Sequence, residues 1–476
     1  MNNYNYHPII SIITVNFNGK RFLKDLFNSI AGLEYPRERI QTIMVDNGSK
    51  DNSCDFVREN FPWVNILRLD RNYGYSSGNN EGFKIADGEF IALINNDCIV
   101  EKKWLSELVN AAVDNVAADK KADKKNCQKF GAVCPKVLFF HSYLPLEFSI
   151  DKANAKISNV KITGKSLENN RSAVKLNESI KYLKGFLPVS RDNIGYLSSW
   201  TFSKNSLIAI PVFSKNPGFT LEFEIISEFN SSKFEIFIIN PEDNENRRVK
   251  KVHECVLKDG LNNVCINFND NLEAYSKDII NSCGLEINRN FYARDRGFNS
   301  FDDSQFVNTE EIFSPSGSSM LINRALLDEV GYFDRDFFTY YEDLDLFWRA
   351  RLKGWKVYFT PYSVVRHYHC GTGREWSYSF TYHVLRNRLI AIFKSGWWFL
   401  FFKNCFSFFV SILAGISQYL YSILRGKKQD RPDIRVRLRV FFELFYWLPK
   451  KLFYRIMNRR AAVIKDREIK KWFKNF

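Results

Sequence analysis

Residues 9–17 (IISIITVNF) are apolar and β-branched with little alternation, the pattern of a strand buried on both faces. Asn18-Gly19 then turns the chain, and Phe22, Leu23, Leu26, Phe27 and Ile30 recur at helical spacing. The alternation continues with a strand at 41–45, a helix from about Asn52, a strand at 65–69, a helix from about Asn79 and a strand at 90–94. Strands alternating with helices predict a parallel sheet covered on both faces, with its ligand beyond the carboxyl ends of the strands. Four polar clusters fall at those ends: Asn16-Phe17-Asn18, Asp46-Asn47-Gly48-Ser49, Asp70-Arg71-Asn72 and Asn95-Asn96-Asp97. Their convergence on one edge makes a site.

The period changes in the middle of the chain. SLIAIPVF, FTLEFEII, KFEIFIIN, VKKVHECVL and NVCINF are short alternating runs separated by Asn, Asp, Gly and Ser, which predicts an inserted antiparallel β-sandwich over 142–283. Trp200, Phe219 and His253 read as its core. The low-complexity stretch 111–128 is a helix extension or a solvated loop. Helical spacing returns in FFTYYEDLDLFWRARLKGW (337–355), where Glu342, Asp343 and Asp345 open an amphipathic helix as acidic first-turn residues do. The aromatic residues crowding these carboxylates give them a second meaning, because a carboxylate facing apolar walls has a raised pKa and can act as a base.

At 476 residues the chain should hold two folded units and an appendage. Nine cysteines without a CxxC pair argue for a reducing compartment and against a zinc site. The N-terminus has no basic run ahead of its apolar stretch and reads as a first strand, not a signal peptide. The net charge of +15 is concentrated at one end, since residues 425–476 hold 17 Lys and Arg against 5 Asp and Glu. Nucleic acid could take that charge, but it does not need the clustered Phe, Leu, Trp and Tyr of WWFLFFKNCFSFFVSILAGISQYLYSIL and VRLRVFFELFYWLPKKLFYRIMNRR. Cations interleaved with aromatics predict helices lying in a membrane interface over 396–476, on the anionic cytoplasmic leaflet, with a full span, or helices packed on the rest of the chain, as the alternatives.

The strand-end clusters suit a nucleotide. Asp46 can accept from a base N–H or a ribose hydroxyl, Arg71 can pair with a phosphate, and the glycines of NYGYSSGNNEG, Gly78 and the following Asn79 among them, allow close backbone approach. Asp97 can hold a divalent cation against a diphosphate. There is no GxxxxGKS loop or GxGxxG on the first strand, which sets ATPase and dinucleotide chemistry aside.

SIITVNFNG, VDNGSKDNS, RNYGYSSGNNEGF, ALINNDC, GSSMLINRALLDEVGYFD and YYEDLDLFWRARLKGW together resemble the family 2 glycosyltransferases, most nearly their rhamnosyltransferase-like branch, over 9–140 and 284–395. The resemblance implies a GT-A fold, a Rossmann-like mixed sheet. It also implies a UDP-, dTDP- or GDP-sugar donor, a divalent metal (Mn2+ or Mg2+) and inversion at the sugar carbon. Residues 1–141 would be the nucleotide-sugar half and 284–395 the acceptor half. By position, Asn16, Asp46, Asn47, Arg71, Gly78, Asn79, Asn95 and Asn96 would bind the donor. Asp97 would be the metal-binding end of a DxD element in which Asn95 replaces the first Asp. His367, with His369 as competitor, would complete the metal shell. Asp343 would be the general base, with Glu342 and Asp345 orienting the helix and the acceptor. No QxxRW is present, which argues against a processive synthase. The acceptor expected is a lipid-linked or cell-surface glycan at the inner membrane face. The non-enzymatic rival is an inactive transferase fold that binds glycan through its sandwich.

Overall fold

The computed structural model describes residues 7–121, 129–152, 155–163, 180–191, 197–212, 219–241, 243, 247–268, 272–368, 377–424 and 432–476. The chain forms two compact units, one comprising Met1–Leu138, Asn281–Phe298 and Phe306–Phe476, the other Phe139–Ile280 with Asn299–Gln305.

In the first unit β1 (Ile10–Asn16), β2 (Ile40–Asp46), β3 (Asn65–Arg68) and β4 (Phe90–Ile94) alternate with α1 (Lys20–Ala31), α2 (Ser53–Asn60) and α3 (Gly74–Lys84). β1 runs parallel to β2 and β4, and its register pairs Asn16 with Asp46, so both polar side chains arrive at one edge. β4 is buried along its whole length and β1 nearly so, as the uninterrupted apolar runs predicted. Helix α3 departs from the expectation. It opens at Gly74, five residues before Asn79, so Gly78 and Gly82 lie inside it. A Cβ on Gly78 would stand 2.7 Å from Val15, and one on Gly82 the same distance from Ile13. These glycines at i and i+4 seat the helix on β1.

β5 (Cys98–Val100), α4 (Trp104–Lys121) and β6 (Lys129–Phe139) follow, so the low-complexity stretch is helical up to Lys121, and 122–128 lies outside the described residues.

The second unit contains β7 (Ser142–Ile150), β8 (Ala155–Thr163), β9 (Lys181–Arg191), β10 (Leu197–Val212), β11 (Phe219–Ser227), β12 (Ser232–Ile239), β13 (Arg248–Leu257) and β14 (Gly260–Phe268). They form one antiparallel ladder in the order β13-β12-β7-β10-β8-β11-β14, with β9 on β10. β11 and β12 are four places apart in that order, yet Phe223 and Phe234 meet at 6.4 Å between ring centroids, and Phe148 on β7 stacks on Phe223 at 5.5 Å. Neighbouring strands lie about 4.8 Å apart, so a flat sheet would keep those rings well beyond contact. The ladder is therefore folded onto itself. The long strand β10 pairs with β8 through its first half and with β7 through its second, and so serves both layers. Trp200 and Phe219 pack against this aromatic interior, and His253 lies beside Phe234 at 6.2 Å.

The chain returns to the first unit through β15 (Ile280–Ser282), the hairpin β16 (Leu285–Asn288) and β17 (Ala293–Asp295), and the short β18 (Glu310–Glu311). Next come β19 (Ser319–Asn323), α5 (Arg324–Val330), α6 (Glu342–Leu352) and β20 (Trp355–His367). β19 is antiparallel to β4, with Ser319 opposite Ile94, which brings the loop before it to the carboxyl edge. β20 runs to His367 and pairs with β5 so that His367 faces Cys98.

The C-terminal region is α7 (Tyr378–Ser395), α8 (Trp398–Leu424), α9 (Pro432–Arg460), α10 (Asp466–Lys470) and β21 (Phe473–Lys474). Its basic residues are not all at the surface, as a purely interfacial tail would require. Lys451 on α9 bonds Asp334 and Asp336 at 2.7 Å each, and Lys394 on α7 bonds Asp334 at 2.7 Å and Asp345 at 2.8 Å. Val436, Val440 and Leu444 pack with Leu385, Leu389, Phe408 and Ile412 in one cluster of α7, α8 and α9. β21 pairs with β16, Ile287 opposite Phe473, which brings Trp472 and Phe473 into the core beneath α6.

Candidate active site

Three of the residues expected at the nucleotide, Asn16, Asp46 and Asn96, form one buried network with Ser49. Asn16 donates from Nδ2 to Asp46 Oδ1 at 3.2 Å and to Ser49 Oγ at 3.1 Å, and its Oδ1 accepts from Asn96 Nδ2 at 2.8 Å. Asp46 Oδ2 accepts from the Ser49 amide at 3.1 Å, so both carboxylate oxygens are engaged. Gly19 leaves room for this network, since a Cβ there would lie 2.1 Å from Asn96 Nδ2. Asn47 donates to Asn72 Oδ1 and Gly74 O at 3.0 Å each and ties the 70–74 turn to the end of β2. Arg71 is exposed at the rim with its guanidinium 4.7 Å from the centre of the Tyr73 ring. Gly78 and Asn79 sit in the body of α3, where Asn79 Nδ2 donates to Tyr75 O at 3.0 Å.

At the next strand end, buried Asp97 places Oδ1 3.3 Å from His367 Nε2. The ring's Nδ1 meets Asn281 Oδ1 at 2.9 Å. Asn281 thus holds the ring from one side while Nε2 faces the Asp97 carboxylate on the other. Asp97 Oδ1 and His367 Nε2 lie close enough to ligate one divalent cation together, the carboxylate suiting Mg2+ or Mn2+ and the imidazole favouring Mn2+. Cys98 is the third nearby donor. Its soft sulfur leans on Ser318 O at 3.9 Å, and burial with the Asp97 charge pushes the thiol well up, which keeps it protonated. His369 lies outside the described residues.

The third group is at the start of α6. Asp343 Oδ1 accepts from the Leu344 amide at 2.7 Å, and Oδ2 from the Gly317 amide at 3.0 Å. A Cβ on Gly317 would lie 3.4 Å from Asp343 Oδ2 and 3.6 Å from Glu342 Oε1, so the 316–318 loop rests directly on the pair. Tyr75 clamps that loop from the donor side by donating to Gly317 O at 2.6 Å. Burial, with the charge of Asp295 on β17, pushes the Asp343 carboxyl up to about 7. Burial and the Asp343 charge push Glu342 well above the usual range, and its Oε2 is buried with no hydrogen-bond partner among the described residues. Asp345 does not join them. It is held by Arg349 Nε at 3.0 Å and by Lys394, in an ion network on the far side of the helix.

The 316–318 loop joins the two groups. Ser318 O accepts from the Asn95 amide at 3.0 Å while Gly317 holds Asp343. Asn281 and Asp295 had no signal of their own in the sequence, because each is defined by what lies across the fold from it, whereas Tyr75 and Gly317 lie within NYGYSSGNNEG and GSSMLINRALLDEVGYFD. Asn387, discussed below, did carry one: the polar triplet Arg386-Asn387-Arg388 interrupts an otherwise apolar helix.

Two family models match this chain, Glycosyl transferase family 2 over residues 11–130 and Glycosyltransferase like family 2 over 287–388. These matches support a family 2 glycosyltransferase, and the first unit has the mixed α/β sheet of a GT-A fold. The chain is 26% identical over 106 residues to the glycosyltransferase AglE of Haloferax volcanii, covering 22% of this chain and 35% of that protein. It is 36% identical over 85 residues to the N-acetylglucosaminyl-diphospho-decaprenol L-rhamnosyltransferase of Mycobacterium tuberculosis, covering 17% and 28%. The matched stretch thus spans about a third of the length of these curated relatives. Among solved structures, GalNAc-T7 with UDP, GalNAc and Mn2+ aligns at a TM-score of 0.42 and 11% identity, covering 82% of this chain and 48% of that one. Likeness of that degree leaves donor and acceptor open.

Proposed function

We propose that the protein moves a sugar, with inversion, from a UDP-, dTDP- or GDP-sugar to a hydroxyl of a lipid-linked or cell-surface glycan. The observation that carries this reading is the 316–318 loop, which holds the Asn95–Asp97 strand end through Ser318 and the Asp343 carboxylate through Gly317. A donor diphosphate at the first and an acceptor hydroxyl at the second would meet across that loop. Asp97 and His367 would hold a divalent cation, which supplies charge compensation for the departing diphosphate. Asp343 takes the acceptor proton as the acceptor oxygen bonds to the anomeric carbon and the bond to the diphosphate breaks on the opposite face. Glu342, protonated beside it, offers its unpartnered oxygen to orient the acceptor. Asn16, Asp46 and Asn96 hold the nucleoside, and Arg71 meets the phosphates from the rim.

The test is a donor panel. Detergent-solubilised protein with Mn2+ or Mg2+ and a lipid-linked glycan extract is expected to release nucleoside diphosphate from one donor class, and chelation should abolish release. A protein that neither releases nor binds any of the nucleotides would refute the reading.

We further propose that α8 and α9 rest in an anionic membrane surface, on the cytoplasmic leaflet. Trp398–Tyr421 is long and apolar enough to cross a bilayer. Its inner face, including Leu400, Phe401, Phe408 and Ile412, is nonetheless buried. The outer face is a bare stripe in which Phe399 is 76% and Phe406 70% exposed, and Phe442, Phe445 and Phe453 extend a second stripe along α9. A helix packed on one side and apolar on the other lies in an interface. Phe402→Glu with Phe406→Glu removes roughly 3 kcal/mol or more of apolar burial in lipid without touching the packed face. Co-sedimentation with phosphatidylglycerol vesicles should fall at least tenfold; unchanged sedimentation would remove the membrane reading.

A further inference from the structure

The turn entering α6 is strained. Phe338, Tyr340 and Tyr341 have φ of 64°, 66° and 69°, and all three are aromatic. Left-handed backbone is unfavourable for any residue with a Cβ, so three such residues in one turn store strain. Such a turn persists only where the surroundings over-determine it. Here every carbonyl from Asp336 to Tyr340 is held. Asn387 Nδ2, on a fully buried side chain, lies 2.9 Å from Phe337 O, 2.9 Å from Thr339 O and 2.7 Å from Tyr340 O. Arg386 Nη2 takes Asp336 O at 2.5 Å, and its Nε bonds Asn387 Oδ1 at 2.9 Å, which fixes the amide with its N–H groups towards the turn. Phe338 O accepts from the Ser76 amide at 3.1 Å. A buried Asn in the middle of an apolar helix costs stability relative to Leu, so its place there calls for a role.

We infer that Asn387 is a positioning residue for Asp343: by gathering three carbonyls it keeps the 338–341 turn left-handed, and so sets how deeply the Glu342–Asp343 pair is buried. Tyr341 is the residue at which α6 begins, and the two carboxylates follow immediately. If the turn relaxes to negative φ, the first turn of α6 swings and water reaches the pair. The titratable groups facing Asp343 are Glu342 on its own helix, Asp295 on β17, Tyr75 on α3 and Tyr341 in the turn. None of them is altered by a change at Asn387, so a change in Asp343 titration reports the turn.

This inference draws its interest from Asp343 as the base, but its test needs no substrate. The full chain is melted from pH 4 to 9 with and without Asp343→Asn, in the native, Asn387→Ala and Asn387→Ser backgrounds. The difference between each pair traces the Asp343 carboxyl by linkage. In the native background it should grow up to about pH 7. With Asn387→Ala it should level off at least one pH unit lower, a tenfold loss of proton affinity. Asn387→Ser, which keeps one donor and adds no bulk, should fall between and remains folded if the alanine variant does not. Levelling at the native pH in the serine variant, and in the alanine variant where it folds, would overturn the inference and leave Asn387 a structural residue. A failure of the transferase reading would leave these melting curves unaffected.

Discussion

Replacing Asp343 by Asn should cost about 10³-fold in kcat and, as the pH rises, make the protein progressively more stable relative to the native form. Loss of a general base is worth 10²–10⁴-fold, and no second carboxylate replaces this one, since Glu342 stays protonated and Asp345 is tied to Lys394. The stability change follows from the raised carboxyl. In the unfolded chain it releases its proton near 3.8, in the folded chain near 7. A raised acid therefore contributes stability that is whole below pH 3.8 and is lost as the pH climbs to about 7. Asn does not titrate, so the difference between variant and native protein should widen over that window by at most about 4 kcal/mol and stay flat above it. The amide also turns an N–H towards the Gly317 N–H, a cost without pH dependence, so the slope and not the absolute melting point is the readout. The native enzyme's kcat should rise with pH through about 7, as the base loses its proton. A variant with native turnover, or a melting difference flat between pH 4 and 7, would remove Asp343 from the role.

The parts of this arrangement that were legible in the sequence share a cause: they repeat. Asn16, Asp46 and Asn96 follow runs of apolar β-branched residues, and the period that predicts strands also predicts that their ends share an edge. What escaped depends on which surface a pattern meets. The glycines of α3 read as room for a ligand, yet Gly78 and Gly82 are occupied by Val15 and Ile13 of β1. The alternating runs at 142–268 indicate strands with one buried face, and either two sheets or one folded ladder satisfies them; the pairing of β10 with both β7 and β8 selects the second. The C-terminal helices are amphipathic in sequence, but amphipathy does not say which face meets protein. Lys451 belongs to Asp334 while Phe453, two residues on, is bare. Three carboxylates at the head of α6 look equivalent in a string of letters. The i, i+4 pairing of Asp345 with Arg349, and Lys394 from α7, draw one of them away from the site.

Asp97→Ala should abolish metal-dependent nucleotide binding, whereas His367→Gln should only weaken it. The asymmetry comes from charge. At the end of β4 the side chains are Asn95, Asn96 and Asp97, so Asp97 supplies the full anionic charge of that turn. Asn96 is already committed to Asn16. His367 brings no anionic charge, and its Nε2 can be replaced by an amide oxygen or water at modest cost. A ligand at a hundred times its dissociation constant stabilises the folded state by about 2.7 kcal/mol. Mn2+ with the nucleoside diphosphate of the active donor class should therefore raise the native melting point by several degrees. The alanine variant should show no rise beyond that from nucleotide alone, and the glutamine variant should recover it at tenfold or higher metal. Turnover should fall in the same order, by about 10³-fold for Asp97→Ala, since a cation on a departing diphosphate is worth several kcal/mol. Asp97→Asn separates charge from shape: it keeps a hydrogen-bonding group beside His367 but should behave like the alanine variant. If Asp97→Asn instead retained the metal-dependent rise, the carboxylate would be orienting His367 and the cation would have to sit elsewhere along the diphosphate.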